Sequence, residues 1–140
     1  MKKRALIHVL SSQPENDEKE ESIEVVTPGS FYKKDNDYYA VYEETEISGM
    51  EGTTTTLKIG ANKFSLIRMG STTTKMEFEE DKEKISMYST PYGTLEINII
   101  TKELQINVDD TGGEIFISYD MGISGEDTQH INLDIKIRPQ

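Results

Sequence analysis

Apolar residues fall at every second position over most of the chain, and turn-forming residues close each run. Leu95, Ile97 and Ile99 alternate with Glu96 and Asn98, and Leu104, Ile106 and Val108 alternate with Gln105 and Asn107. Further on, Ile115, Ile117 and Tyr119 alternate with Phe116 and Ser118, while Ile131, Leu133, Ile135 and Ile137 alternate with Asn132, Asp134 and Lys136. Successive side chains of a strand point to opposite faces, so a period of two places one set in a core and the other in water. A helix needs apolar residues at three- and four-residue spacing, and no window sustains that. The many β-branched residues agree with strand.

The same pattern predicts a first strand over residues 3–12, a loop at Gln13-Pro14-Glu15-Asn16-Asp17 and an acidic strand reaching Val26. Pro28-Gly29 is expected to break that strand, leaving a short one over 31–33 and a turn at Asp35-Asn36-Asp37. Residues 38–47 read as a strand, followed by a loop at Ser48-Gly49-Met50-Glu51-Gly52. Residues 54–59 and 64–69 form a predicted hairpin around Gly60-Ala61-Asn62-Lys63, where Gly and Asn accept positive φ. Residues 76–80 and 85–89 pair around Asp81-Lys82-Glu83, and Thr90-Pro91-Tyr92-Gly93 has the composition of a type I turn. The last strands turn at Thr101-Lys102, at Thr111-Gly112-Gly113 and near Ser124-Gly125-Glu126-Asp127.

Roughly nine or ten strands with short links imply antiparallel neighbours, and no stretch is long enough for the crossover helix of a parallel sheet. The expected fold is all-β: one domain over residues 1–140, an antiparallel meander closed into a barrel so that no open edge invites aggregation.

Composition narrows the function classes. The chain has no cysteine, which removes disulfides, thiolate metal sites and thiol nucleophiles and is compatible with a reducing cytoplasm. Met1-Lys2-Lys3-Arg4 precedes an apolar run too short for a signal peptide, interrupted by His8, so it reads as part of the first strand. No run approaches a membrane span. A formal charge of −11, from 26 acidic and 15 basic residues without a basic stripe, argues against nucleic acid. Scattered acidity serves solubility, or alternatively suits a basic protein partner.

Short motifs carry little chemistry. Asp110-Thr111-Gly112 has the tripeptide of aspartic proteases, but Asp109 and Gly113-Glu114 replace the apolar flank, and a hairpin turn explains it. Asp35-Asn36-Asp37 with Glu43 and Glu46 fails as a calcium loop, because Ala40 stands where a glycine must turn. His8 and His130 lie in the first and last strands, which barrel closure could bring together, yet zinc needs three or four ligands. No phosphate loop or nucleophile elbow is present, and no spacing nominates a Ser-His-acid triad. The expectation is a protein without catalytic residues, cofactor or metal.

The candidate ligand-binding residues are polar or aromatic groups set among alternating strand positions: Tyr42, Glu44, Arg68, Tyr92 and Tyr119. Arg68 shares the parity of Phe64 and Leu66 and should point inward, where Glu43 or Glu44 would pair with it. Such a pair either plugs a barrel filled by its own side chains or anchors a polar ligand group at its mouth.

The order of Tyr42-Glu43-Glu44-Thr45, Thr55-Thr56-Leu57-Lys58-Ile59 and Ile67-Arg68-Met69-Gly70 resembles the YwiB-like family of bacterial β-barrel proteins. Phe78, Tyr88-Ser89-Thr90-Pro91-Tyr92-Gly93, Gly112-Gly113 and Tyr119 continue the likeness, which spans about residues 38–138. The resemblance implies a calycin-like, lipocalin-shaped barrel in a family of unassigned function. It supplies no catalytic or ligand residues. The leading expectation is therefore a small ligand held in or at the mouth of a cytoplasmic barrel. The alternative is an interaction module using its acidic surface or a strand edge.

Overall fold

The computed structural model describes residues 2–13, 21–45, 50–123 and 128–140. The loop predicted over 14–17, the last part of the 38–47 strand, Ser48-Gly49 and the turn near 124–127 lie outside the described residues. Ten strands follow one another: β1 (Lys2–Gln13), β2 (Glu21–Lys34), β3 (Asp37–Glu43), β4 (Thr53–Ile59), β5 (Phe64–Gly70), β6 (Thr73–Phe78), β7 (Glu83–Thr90), β8 (Gly93–Asp109), β9 (Gly112–Ile123) and β10 (Gln129–Pro139). Each pairs antiparallel with its sequence neighbours, and β1 pairs with β10 to close the ring. The all-β closed meander expected from the alternation is what forms.

Three details depart from the sequence pattern. Pro28-Gly29 does not end a strand: β2 runs through it, with Leu6 opposite Pro28 and Ala5 opposite Gly29. Pairing of β2 with β3 begins only at Ser30, so Pro28 lies where β2 has an open edge, the setting in which a missing N–H is tolerated. Second, Thr101-Lys102 is no turn. It is a β-bulge inside one long β8, where the register with β9 slips between Thr101 and Glu103. The extra residue explains why the apolar positions change parity, from Ile97 and Ile99 to Leu104, Ile106 and Val108. Third, β6 and β7 pair only at Thr73–Ser89 and Thr74–Tyr88 rather than over residues 76–80. The connection instead bonds across to β8, with Asp81 N donating to Thr101 O (2.9 Å) and Thr101 N to Lys82 O (3.2 Å).

Left-handed backbone appears at Asp35 and Asn36 (φ 52° and 73°), as a tight two-residue hairpin requires, and at Asp81. The hairpin around residues 60–63 forms with Gly60 N bonded to Lys63 O, but neither Gly60 nor Asn62 takes positive φ. Asp110-Thr111 is a hairpin turn, tied by the Asp109 carboxylate to Thr111 N and Oγ1.

The inward side chains divide the barrel into two halves. Around Leu57, Ile59, Phe64, Phe78, Ile117, Ile135 and Ile137 the interior is packed solid and these residues are buried. Phe78 contacts Phe64 and meets Tyr119 edge-on at 4.8 Å between ring centres. The other half is not filled.

Candidate functional site

Above this plug lies a cavity of about 350 Å³, walled by inward positions of nearly every strand. Its floor includes Leu66, Ile97 and Leu133, and its rim includes Ser11, Ile23, Leu95 and Ile123. These rim residues stand near the ends of β1, β2, β8 and β9, so the cavity belongs to one end of the barrel. Its wall is mostly apolar.

Four of the five nominated residues converge on this space: Tyr42, Glu44, Arg68 and Tyr119. Strand parity places them there. Arg68 follows Phe64 and Leu66 on the inner face of β5 and pairs with Thr74 and Thr55 on its neighbours. Glu44 continues the inner face of β3 beyond Ala40 and Tyr42, with its N–H bonded to Thr53 O. Its side chain is only 2% exposed, and Arg68 Nε lies 3.9 Å from its Oε2. Thr55 Oγ1, itself fully buried, donates to the same carboxylate oxygen. Glu43 points to the outer surface, so Glu44 is the partner of Arg68.

One donor of the guanidinium is unused. Arg68 Nε is buried without a hydrogen-bond partner, and 3.9 Å to Glu44 is an ion pair rather than a hydrogen bond. An arginine has five N–H donors in a planar fork, suited to an acceptor with two oxygens. Around it, burial holds the Tyr42 phenol well above the usual tyrosine range; the Glu44 charge adds to this and Arg68 opposes it. Burial likewise pushes Tyr119 up to about 12, again against the pull of Arg68. Both phenols are thus neutral hydroxyls at ordinary pH. The site combines one fixed cation, one buried anion and neutral hydroxyls with an apolar wall.

Tyr92 does not belong to it. It sits on the β7–β8 turn, 98% exposed, because the Pro-Tyr turn projects its central side chains outward. Tyr88, another aromatic set amid strand alternation, lines the cavity as well, together with Met76 and Met121, which the sequence does not single out. Their inward parity was readable, although nothing in the sequence separates lining residues from plug residues. Closure does bring β1 beside β10, but His8 stands opposite Lys136, six positions along β10 from His130 and roughly 20 Å away at the strand rise. Instead His8 pairs with Glu24 at 3.1 Å. Among the described residues no three His, Cys, Asp or Glu side chains gather as a metal site.

The sequence profile of a domain of unknown function, DUF1934, matches residues 7–135. The chain belongs to the DUF1934 family. The uncharacterised β-barrel protein YwiB of Bacillus subtilis (strain 168) is 31% identical over 127 residues, covering 90% of this chain and 86% of YwiB. The crystal structure of the Bacillus subtilis ywiB protein superposes with a TM-score of 0.86 at 29% identity, over 99% of this chain and 93% of that one. The barrel is thus shared with the ywiB protein, and the resemblance noted from the residues is correct at the family level.

Proposed function

We propose that this chain is a non-enzymatic, lipocalin-like binding barrel of the cytoplasm. It holds a small, largely apolar molecule whose carboxylate or carbonyl group is read by Arg68. The observation that supports this most is the pairing of an unfilled 350 Å³ interior with an arginine whose buried Nε has no hydrogen-bond partner at its wall. That volume lies at the lower end of small-molecule sites, and an apolar wall with few convergent polar groups is their usual make-up. A barrel that needed only stability would fill this half as it fills the other, since lining atoms facing a void lose their contacts. Glu44 keeps the anchor neutral overall and therefore favours a ligand acceptor that accommodates a nearby carboxylate over a highly charged anion.

Calorimetric titration with a panel of aliphatic and aromatic monocarboxylates and their methyl esters tests the reading. Binding by some members, weakened at least about ten-fold by Arg68→Met, is expected, since a hydrogen bond to a charged group contributes about 1.5–3 kcal/mol. Binding that is indifferent to Arg68→Met would contradict it. The alternative, docking of a basic protein on the acidic surface, rests on the net charge of −11 and predicts co-purification that salt abolishes.

A further inference from the structure

Outside the barrel, on the wall formed by β9 and β10, three side chains form a hydrogen-bonded relay. Alternation turns Ile117 and Tyr119 inward, which leaves Ser118 and Asp120 on the outer face of β9; Ile131 is buried inward on β10, which leaves His130 outward. The register sets His130 opposite Asp120 and Asn132 opposite Ser118. His130 Nδ1 lies 2.7 Å from Asp120 Oδ1, and His130 Nε2 lies 3.1 Å from Ser118 Oγ. All three residues are half-buried. Nδ1 therefore carries the proton that Asp120 accepts, and Nε2 presents its lone pair to the Ser118 hydroxyl, the role assignment of a nucleophilic triad. Lys102, pushed out by the β8 bulge, brings its ammonium within 3.9 Å of the other Asp120 oxygen and anchors the orienting carboxylate.

Two neighbours bear on what this relay can do. Glu103, the residue of β8 opposite Ser118, is engaged by the Gln105 side-chain amide. Asn132, opposite Ser118 on the other side, has a buried Oδ1 with no hydrogen-bond partner. Directly opposite side chains in a strand pair stand about 5 Å apart at Cβ, so the Asn132 amide can present its NH₂ beside Ser118 Oγ, where an oxyanion would form.

We propose that Ser118 is a nucleophilic serine that accepts an acyl group from small activated esters or thioesters. Ser118 Oγ adds to the carbonyl carbon as its proton passes to His130 Nε2, while Asn132 stabilises the oxyanion. The adduct collapses, the bond to the alkoxide or thiolate breaks, and the leaving group departs with the proton from His130. Ser118 remains as the ester. The donor class is set by leaving-group activation. The inference is independent of the cavity.

Incubating the intact protein with p-nitrophenyl acetate and locating acetyl groups by peptide mass spectrometry tests it, with thermal melts confirming the fold of each variant. Ser118 is expected to acetylate faster than any other serine. Its initial rate should fall on the order of a hundred-fold in His130→Gln, the usual contribution of a positioned base, and at least about ten-fold in Asn132→Ala. Wild-type protein acetylated at lysines or at His130 but not at Ser118 would overturn the proposal, as would a Ser118 rate unchanged in His130→Gln.

Discussion

Replacing Arg68 by Met tests the interior electrostatics, because it removes the cation while keeping an unbranched apolar side chain in the cavity wall. The Glu44 carboxylate, 2% exposed, then keeps its Thr55 bond but loses its counter-ion. Across 3.9 Å the attraction is about 4 kcal/mol at an effective dielectric of about 20. That is an upper figure, since Arg68 is 19% exposed and the adjoining cavity holds space for on the order of ten waters. Removing one partner of a wholly buried pair costs about 3–5 kcal/mol, so a partly hydrated one should cost about 2–3 kcal/mol. For a domain of this size, that lowers Tm by roughly 5–10 °C. The companion variant Glu44→Gln removes the stranded charge, so Arg68→Met with Glu44→Gln should recover at least half of the loss in a double-mutant cycle by thermal and urea unfolding. A Tm for Arg68→Met equal to wild type, or a double variant no better than Arg68→Met alone, would refute the pairing.

Two glycines separate backbone strain from steric collision. Gly112 and Gly52 have nearly the same φ (+93° and +88°), but a Cβ on Gly112 would come 2.2 Å from Ile137 O, whereas on Gly52 the nearest atom is 3.7 Å away. Gly52→Ala should therefore cost about 1 kcal/mol and Gly112→Ala at least about 3 kcal/mol in urea unfolding; equal losses would contradict the close approach of the turn to β10. The Tyr119 phenol, raised from 10.0 to about 12 by burial, makes stability fall as alkalinity rises. Above about pH 10 the unfolded chain gives up the proton that the folded chain keeps, so up to about 3 kcal/mol attributable to this residue is lost between about pH 10 and 12 and none below. Tyr119→Phe should flatten that part of the pH–stability curve, and an unchanged slope would remove Tyr119 from the interior.

Some of this was legible in the chain and some was not. The alternation of Ile115 to Tyr119 and of Ile131 to Ile137 is a local property of a half-buried strand, so strands, inner faces and the meander could be read directly. The inward direction of Arg68 followed from its parity with Phe64 and Leu66. Its partner did not: choosing Glu44 over Glu43 requires knowing which parity of β3 faces inward, and the unbroken apolar run from Tyr38 to Tyr42 hides it. The bulge after Thr101 was visible as a change of apolar parity, yet Thr-Lys also suits a turn, and only pairing with an unbroken β9 decides between them. Pro28 misled because its cost depends on whether a neighbour claims its missing N–H, and the β2–β3 ladder ends at Ser30 opposite Val41, before reaching it. Tyr92 was misplaced because an aromatic beside Pro and Gly carries no strand parity. The Ser118–His130–Asp120 relay was hidden for a different reason: each residue's face was readable, but the β9–β10 register that joins them was not.

Native mass spectrometry of the protein purified gently from its own host tests the binding-barrel account most directly. The account predicts a bound species of a few hundred daltons, of a size suited to a cavity at the lower end of small-molecule sites, released by collisional activation and absent from the Arg68→Met protein prepared in parallel. Wild-type protein that emerges bare, or an adduct retained equally by Arg68→Met, would contradict it.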